Sequence, residues 1–257
     1  MMAELHKFLT GFEKYNKELP FYVENPFTED QIKILRETIE INRSRVPEYK
    51  AVPGDQELYQ GESRFDPKKI VHMSRQLVEF ICPPEVEAVM DSYAKPLYNG
   101  DIALCHYNYI NYSLEYGDGK YAPALPPHLD ADENLVTFNF QIGGNIDDWQ
   151  LIVSGEAYDL KTNDAIVFSA VNQVHWRPKR KWKQGEFLEI VSFDYCPVTN
   201  YRFTGEDNPI DQILFPEKRK QYVDSLNTHP EFIKAWDQYS REGNKAGIPE
   251  NLLGVIE

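Results

Sequence analysis

Apolar and polar side chains alternate along residues 134–142. Val136, Phe138, Phe140 and Ile142 fall on one face of an extended chain, and Thr137, Asn139 and Gln141 on the other. A period of two predicts a strand with one face in a core and a polar face that can line a cavity. Short runs rich in β-branched and aromatic residues predict further strands over 102–112, 151–153, 165–168, 171–177 and 187–193. Turn residues such as Gly143-Gly144, Asn163-Asp164 and Gly185 separate them. Strands this short and closely spaced predict an antiparallel sandwich or barrel rather than βαβ units.

Before and after this stretch the periodicity is helical. Residues 28–45 carry Ile32, Leu35 and Ile39 on one face behind a Thr28/Gln31 capping-box pattern, and Pro47 closes the segment. Asp66-Pro67 predicts the start of a second helix running to about Ile81, and Pro83-Pro84 ends it and opens a third over 85–94. Helix signals return at Asn208-Pro209, over 216–226 and over 230–239. The reading is a single domain over 1–257, of α+β type. A mostly helical region (1–100) leads into an all-β core (101–197), and a helical extension (198–257) follows.

Composition adds exclusions. With 42% hydrophobic residues the 257-residue chain can bury a substantial core, so disorder is not expected. Lys and Arg number 27 against 41 Asp and Glu, a net charge of −14. A polyanion is repelled by duplex nucleic acid and by anionic membranes, which removes both as main partners. No apolar run is long enough to span a bilayer, and the first residues carry charges where a signal peptide would be apolar. Cys82, Cys105 and Cys196 form no CxxC pair. They therefore predict neither a disulfide scaffold nor a thiolate zinc site, and the expected location is a reducing cytoplasm.

The candidate chemistry lies in His128, Asp130 and His175. Residues i and i+2 of a strand share a face, so one extended segment can aim an imidazole and a carboxylate at one ion. A second imidazole from a later strand completes two histidines and one carboxylate on one side of the metal, with open positions opposite. That donor set suits non-haem Fe(II) and its oxygen chemistry. His-x-Asp alone is short enough to arise by chance in an Asp-rich chain with six histidines, so the β context carries the inference.

The stretch Pro127-His128-Leu129-Asp130, then Asn163-Asp164-Ala165-Ile166-Val167-Phe168, then His175-Trp176-Arg177-Pro178 resembles the Fe(II)/2-oxoglutarate-dependent oxygenase superfamily over roughly residues 100–197. The resemblance implies a double-stranded β-helix (jelly-roll) core, Fe(II) held by His128, Asp130 and His175, and 2-oxoglutarate and O2 as co-substrates. It also implies hydroxylation of a small molecule or an amino-acid side chain, with desaturation as the alternative outcome. The chain departs from the pattern where the family places a cation for the distal carboxylate of 2-oxoglutarate. Residues 184–189 contain Glu186 and Glu189 and no Arg or Lys. Two substitutes are candidates: Arg177, which shares a strand face with His175, and Lys183 near the start of the last strand. Without either, a 2-oxoglutarate-independent iron oxidase or a non-catalytic jelly-roll metal-binding module would fit the same residues.

Tyr107, Tyr109, Asn111 and Tyr112 on the first β segment, and Thr137, Asn139 and Gln141 on the alternating strand, are further contacts to consider. Tyr107 and Asn139 are the ones assigned to the co-substrate. The glycine- and proline-rich loop over 115–127 is a candidate lid. His72 falls in the second predicted helix, and His6, His106 and His229 show no usable partner spacing.

Overall fold

The computed structural model describes residues 18–44, 70–71, 75–99, 102–117, 122–130, 134–170, 172–197, 230–245 and 255–256. The predicted helices at 208–209 and 216–226, the lid candidate's residues 118–121, and His6, His72 and His229 lie outside them.

Eight strands build the core: β4 (Ile102–Ser113), β5 (Leu125–His128), β6 (Val136–Gly144), β7 (Leu151–Val153), β8 (Glu156–Tyr158), β9 (Ala165–Phe168), β10 (His175–Arg177) and β11 (Phe187–Pro197). Three strands precede them: β1 (Phe21–Val23), β2 (Ile70–Val71) and β3 (Arg75–Glu79). The larger sheet runs β1-β9-β6-β11-β4-β3 and the smaller β5-β10-β7-β8. All the described pairings in them are antiparallel. This is the expected double-stranded β-helix, open rather than closed into a barrel. A small third sheet joins β2 to β12 (Val255–Ile256).

The alternation on β6 sets the layers. Val136, Phe138, Phe140 and Ile142 face outward into a core that includes Leu35, Ile39, Val86 and Met90 of α1 (Glu29–Arg43) and α2 (Pro84–Ala94). The Thr28/Gln31 capping box is formed, which contributes about 1 kcal/mol to α1, and burying Leu35 and Ile39 adds on the order of 1.5–3 kcal/mol each. Thr137, Asn139 and Gln141 turn inward toward the smaller sheet and are buried. The outer face of that sheet, Ile152 and Trp176, is covered by Phe232, Ala235 and Tyr239 of α3 (Pro230–Lys245).

Four expectations change. The helix predicted to run to Ile81 is strand β3 over Arg75–Glu79, hydrogen-bonded to β4 along its edge. The first hundred residues are correspondingly less helical than predicted: β1 and β3 both extend the larger sheet. The strand expected over 171–177 begins only at His175, because Asn172 and Gln173 turn back onto the Ser169 carbonyl. Lastly, Cys105 and Cys196 form a disulfide between β4 and β11, leaving Cys82 free and buried. Spacing in sequence could not show this, since the pair meets only when the two strands align.

Candidate metal centre and its cavity

His128 ends β5 and His175 opens β10, and the register places them directly opposite one another. Their ring centroids are 4.1 Å apart. Asp130, past the end of β5, is held by its backbone N–H donating to the Ala170 carbonyl at 3.0 Å. Its Oδ1 lies 3.4 Å from His128 Nε2 and 3.6 Å from His175 Nε2. The three ligand atoms all fall within 4.8 Å of one another.

Second contacts fix the imidazoles. His128 Nδ1 lies 2.7 Å from the Pro126 carbonyl and His175 Nδ1 lies 3.1 Å from the Gln173 carbonyl. A carbonyl only accepts, so each Nδ1 carries the proton and each Nε2 presents its lone pair toward Asp130. Burial, helped by the charge of His128, pushes His175 down to about 4, which keeps it a neutral ligand. Burial works to raise the Asp130 carboxyl, but the two imidazoles outweigh it and leave it below its ordinary value. Two imidazole nitrogens and a carboxylate are the donor set that fits Fe(II).

Arg177 shares the inner face of β10 with His175 and is only 1% exposed. Its Nη1 donates to the Trp149 carbonyl, while its buried Nε and Nη2 have no hydrogen-bond partner. The guanidinium lies 5.2 Å from the Trp149 ring, which packs edge-on against Tyr112 and Trp182. Burial lowers Arg177 to about 10, so it stays charged at neutral pH. A buried cation with two unpaired donors is an anion site, and its planar fork suits a carboxylate.

The other basic residues point elsewhere. Lys183 is exposed, and its backbone N–H donates to Glu186. Arg180 pairs with Asp148 at 3.1 Å and Glu186 at 3.2 Å, and Lys179 sits 4.6 Å from the Tyr239 ring. Glu186 and Glu189 do not face the cavity as dicarboxylate repellents. Glu189 accepts from Tyr109 and lies 3.6 Å from Arg36 on the helix-covered face. Tyr107 is on that face too, packed 5.7 Å from Phe80, so the structure does not bring it to the triad. Asn139 is inward and buried, with its Oδ1 unpaired.

Sequence reasoning missed three inner residues. Asp194 on β11 accepts from Thr137 at 2.7 Å and from Ser192 at 3.2 Å. Burial first and the Asp130 charge second push its carboxyl up to about 7. Its signal was the alternation Ile190-Ser192-Asp194, opposite the polar face of β6. Arg75 lies in register with inward Tyr112, has a buried, unpaired Nε, and acts electrostatically on Asp130. The wrong helix assignment hid it. The Phe168 ring stands 4.8 Å from the His175 ring.

No family model matches the sequence, and no curated protein matches it. Among solved structures, the non-heme alpha ketoglutarate dependent epimerase SnoN from nogalamycin biosynthesis aligns over 76% of this chain and 81% of its own, at 10% identity and a TM-score of 0.53. The same epimerase in complex with Fe3+, alpha ketoglutarate and nogalamycin RO aligns over 80% and 91%, at 11% identity and a TM-score of 0.50. A prolyl-4-hydroxylase from Pseudomonas putida covers 76% of this chain and 99% of its own, at 14% identity and a TM-score of 0.46, too low to add weight. The likeness shows the fold. With it goes a His-Asp-His cluster of the kind the sequence resemblance implies. Among the described residues, no helix is long and apolar enough to cross a membrane.

Proposed function

We propose that the protein is a mononuclear non-haem Fe(II)/2-oxoglutarate-dependent oxygenase that uses O2 to hydroxylate a small molecule or an amino-acid side chain. The observation that carries this reading is the buried, incompletely paired guanidinium of Arg177 beside two imidazoles whose Nε2 atoms are open toward Asp130. When bound, Fe(II) with 2-oxoglutarate supplies the oxidising power that couples O2 to cleavage of a substrate C–H bond, releasing succinate and CO2. His128 and His175 hold the ion through Nε2 and Asp130 through its carboxylate.

Arg177 pairs with the distal carboxylate of the co-substrate, replacing the cation missing from the last strand. Asn139 contributes an unpaired amide oxygen to the same cavity. Tyr112, Trp149, Leu188 and Ile190 pack together near Arg177 and exclude water there, which strengthens the ion pair. Arg75, on the inner face of the edge strand, is left to meet a negatively charged part of the substrate. The epimerase of like fold is described as alpha ketoglutarate dependent and carries Fe3+ with alpha ketoglutarate in its complex, which supports the cofactor pair.

Protein incubated with Fe(II), ascorbate and 2-oxoglutarate under air should release succinate, and His128→Ala should abolish it. Iron-loaded wild type that forms no succinate, and shows no heat of 2-oxoglutarate binding in anaerobic calorimetry, would overturn the reading in favour of a 2-oxoglutarate-independent oxidase or a binding module.

A further inference from the structure

The Cys105–Cys196 disulfide has an imidazole beside it. A ring nitrogen of His106 and the two sulfurs form a cluster whose ligand atoms all lie within 4.8 Å of one another. Strand pairing explains why the chain neighbours Cys105 and His106 converge. Asp194 opposes His106 and Tyr195 opposes Leu104, so Cys105 is the extra residue of a β-bulge in β4. A bulge sets two residues against one and re-aims side chains that would otherwise alternate. Cys196 arrives from β11, two residues beyond inward-facing Asp194 and on the same face. It is 1% exposed, while Cys105 and His106 are half-buried. A disulfide needs only the two sulfurs, and the imidazole adds a third donor beside them.

The surroundings suit a cation. Glu79, on the adjoining edge strand and in register with Asn108, is near enough to His106 for its charge to act on the ring. The Asp194 carbonyl lies 3.1 Å from Cys105 Sγ, and Asn134 Oδ1 lies 4.0 Å from Cys196 Sγ.

We propose that, once the disulfide is reduced, Cys105, His106 and Cys196 form a second metal site for a thiophilic divalent cation such as zinc, separate from the His128–Asp130–His175 centre. Two thiolates and one imidazole are soft donors that prefer zinc or cobalt to magnesium or calcium, and the fourth tetrahedral position is left for water or Glu79. The exchange balances. A dithiol reductant delivers two electrons and two protons to the S–S bond and is itself oxidised to a disulfide. The cation then displaces both thiol protons and takes two sulfur ligands. Disulfide and metal are mutually exclusive on the same sulfurs, so occupancy follows the redox state.

Co(II) is the probe, because charge transfer from thiolate to cobalt absorbs in the near ultraviolet and the nitrogen and oxygen donors of the triad give no such band. Full-length protein, reduced, desalted and titrated anaerobically, should take two equivalents and develop the band. Oxidised protein should take one equivalent without it. Cys105→Ser and Cys196→Ser should each lose the band and one equivalent. The equivalent they keep, at the triad, shows that these variants are folded. His106→Ala should weaken binding at the second site at least tenfold and shift the band. His128→Ala and Cys82→Ser should retain it. Reduced wild type that develops no thiolate-to-cobalt band, or a band indifferent to His106→Ala, would overturn the site and leave the pair as a disulfide only.

Discussion

Arg177 is a group whose burial serves binding at the expense of the empty fold. A guanidinium buried with two unpaired donors loses hydration that one carbonyl and an aromatic face only partly replace. Arg177→Met keeps the volume and removes the charge, so the ligand-free variant should melt higher than wild type, by on the order of 1 kcal/mol or more of stability. The same variant should bind 2-oxoglutarate about 10- to 100-fold more weakly, the loss expected for charge-assisted hydrogen bonds of about 1.5–3 kcal/mol. Thermal melts and anaerobic calorimetry read the two effects, and a lower melting point with unchanged affinity would contradict both. Asp194 gives a pH signature. Its folded-state carboxyl lies near 7 against an unfolded value near 4. The fold therefore holds this proton more tightly than the unfolded chain and loses stability as pH rises through that window. Metal-free Asp194→Asn, which still accepts from Thr137, should match wild type near pH 4 and exceed it at pH 8. Equal gaps at both pH values would show that the carboxyl is already ionised. Arg177 was legible from the i,i+2 rule alone. Asp194 and Arg75 were not, because each matters only through the strand opposite it.

At the scale of elements, the metal motif is held from behind. Leu129 lies between His128 and Asp130 and points away from the cavity, into a cluster with Phe232, Ala235 and Tyr239 of α3. That helix carries no ligand, yet it clamps the backbone that aims two of the three. Phe232→Ala should cost about 3 kcal/mol in stability by removing a buried ring at that contact. It should also lower the affinity of the triad for metal while leaving all three ligands in place. Melting curves and Mn(II) titration together test this, and unchanged metal affinity in a destabilised variant would show that α3 only stabilises. Sequence pattern found α1, α2, α3 and most core strands, because their apolar faces pack against one large partner and so keep a clean period. It failed at β3. Leu77, Phe80 and Ile81 have helical spacing, Val78 and Phe80 have strand spacing, and the free edge of β4 decided between them.

The whole molecule puts the site where two sheets face each other. The triad joins the end of β5 to the start of β10 within the smaller sheet, and the inner faces of β6 and β11 supply the opposite wall. The two-layer core and the His-x-Asp…His order were readable from the chain. The net charge of −14 was a poor guide to the cavity, where Arg177 and Arg75 concentrate positive charge that the total conceals. Metal binding should therefore act on the stability of the entire fold. The ligands converge only when β5 and β10 pair, so an ion that binds the folded chain alone stabilises it by RT ln(1 + [metal]/Kd), about 2.7 kcal/mol at a hundredfold excess over Kd. For a chain of this size that corresponds to a rise in Tm of about 5–10 °C. Mn(II) added to chelator-stripped protein should produce this rise, and EDTA should reverse it. His175→Ala should remove the response, and a cooperative melt of the metal-free variant would show that it still folds. A wild-type Tm indifferent to Mn(II), or a His175→Ala variant that responds fully, would mean that these three side chains do not hold the ion.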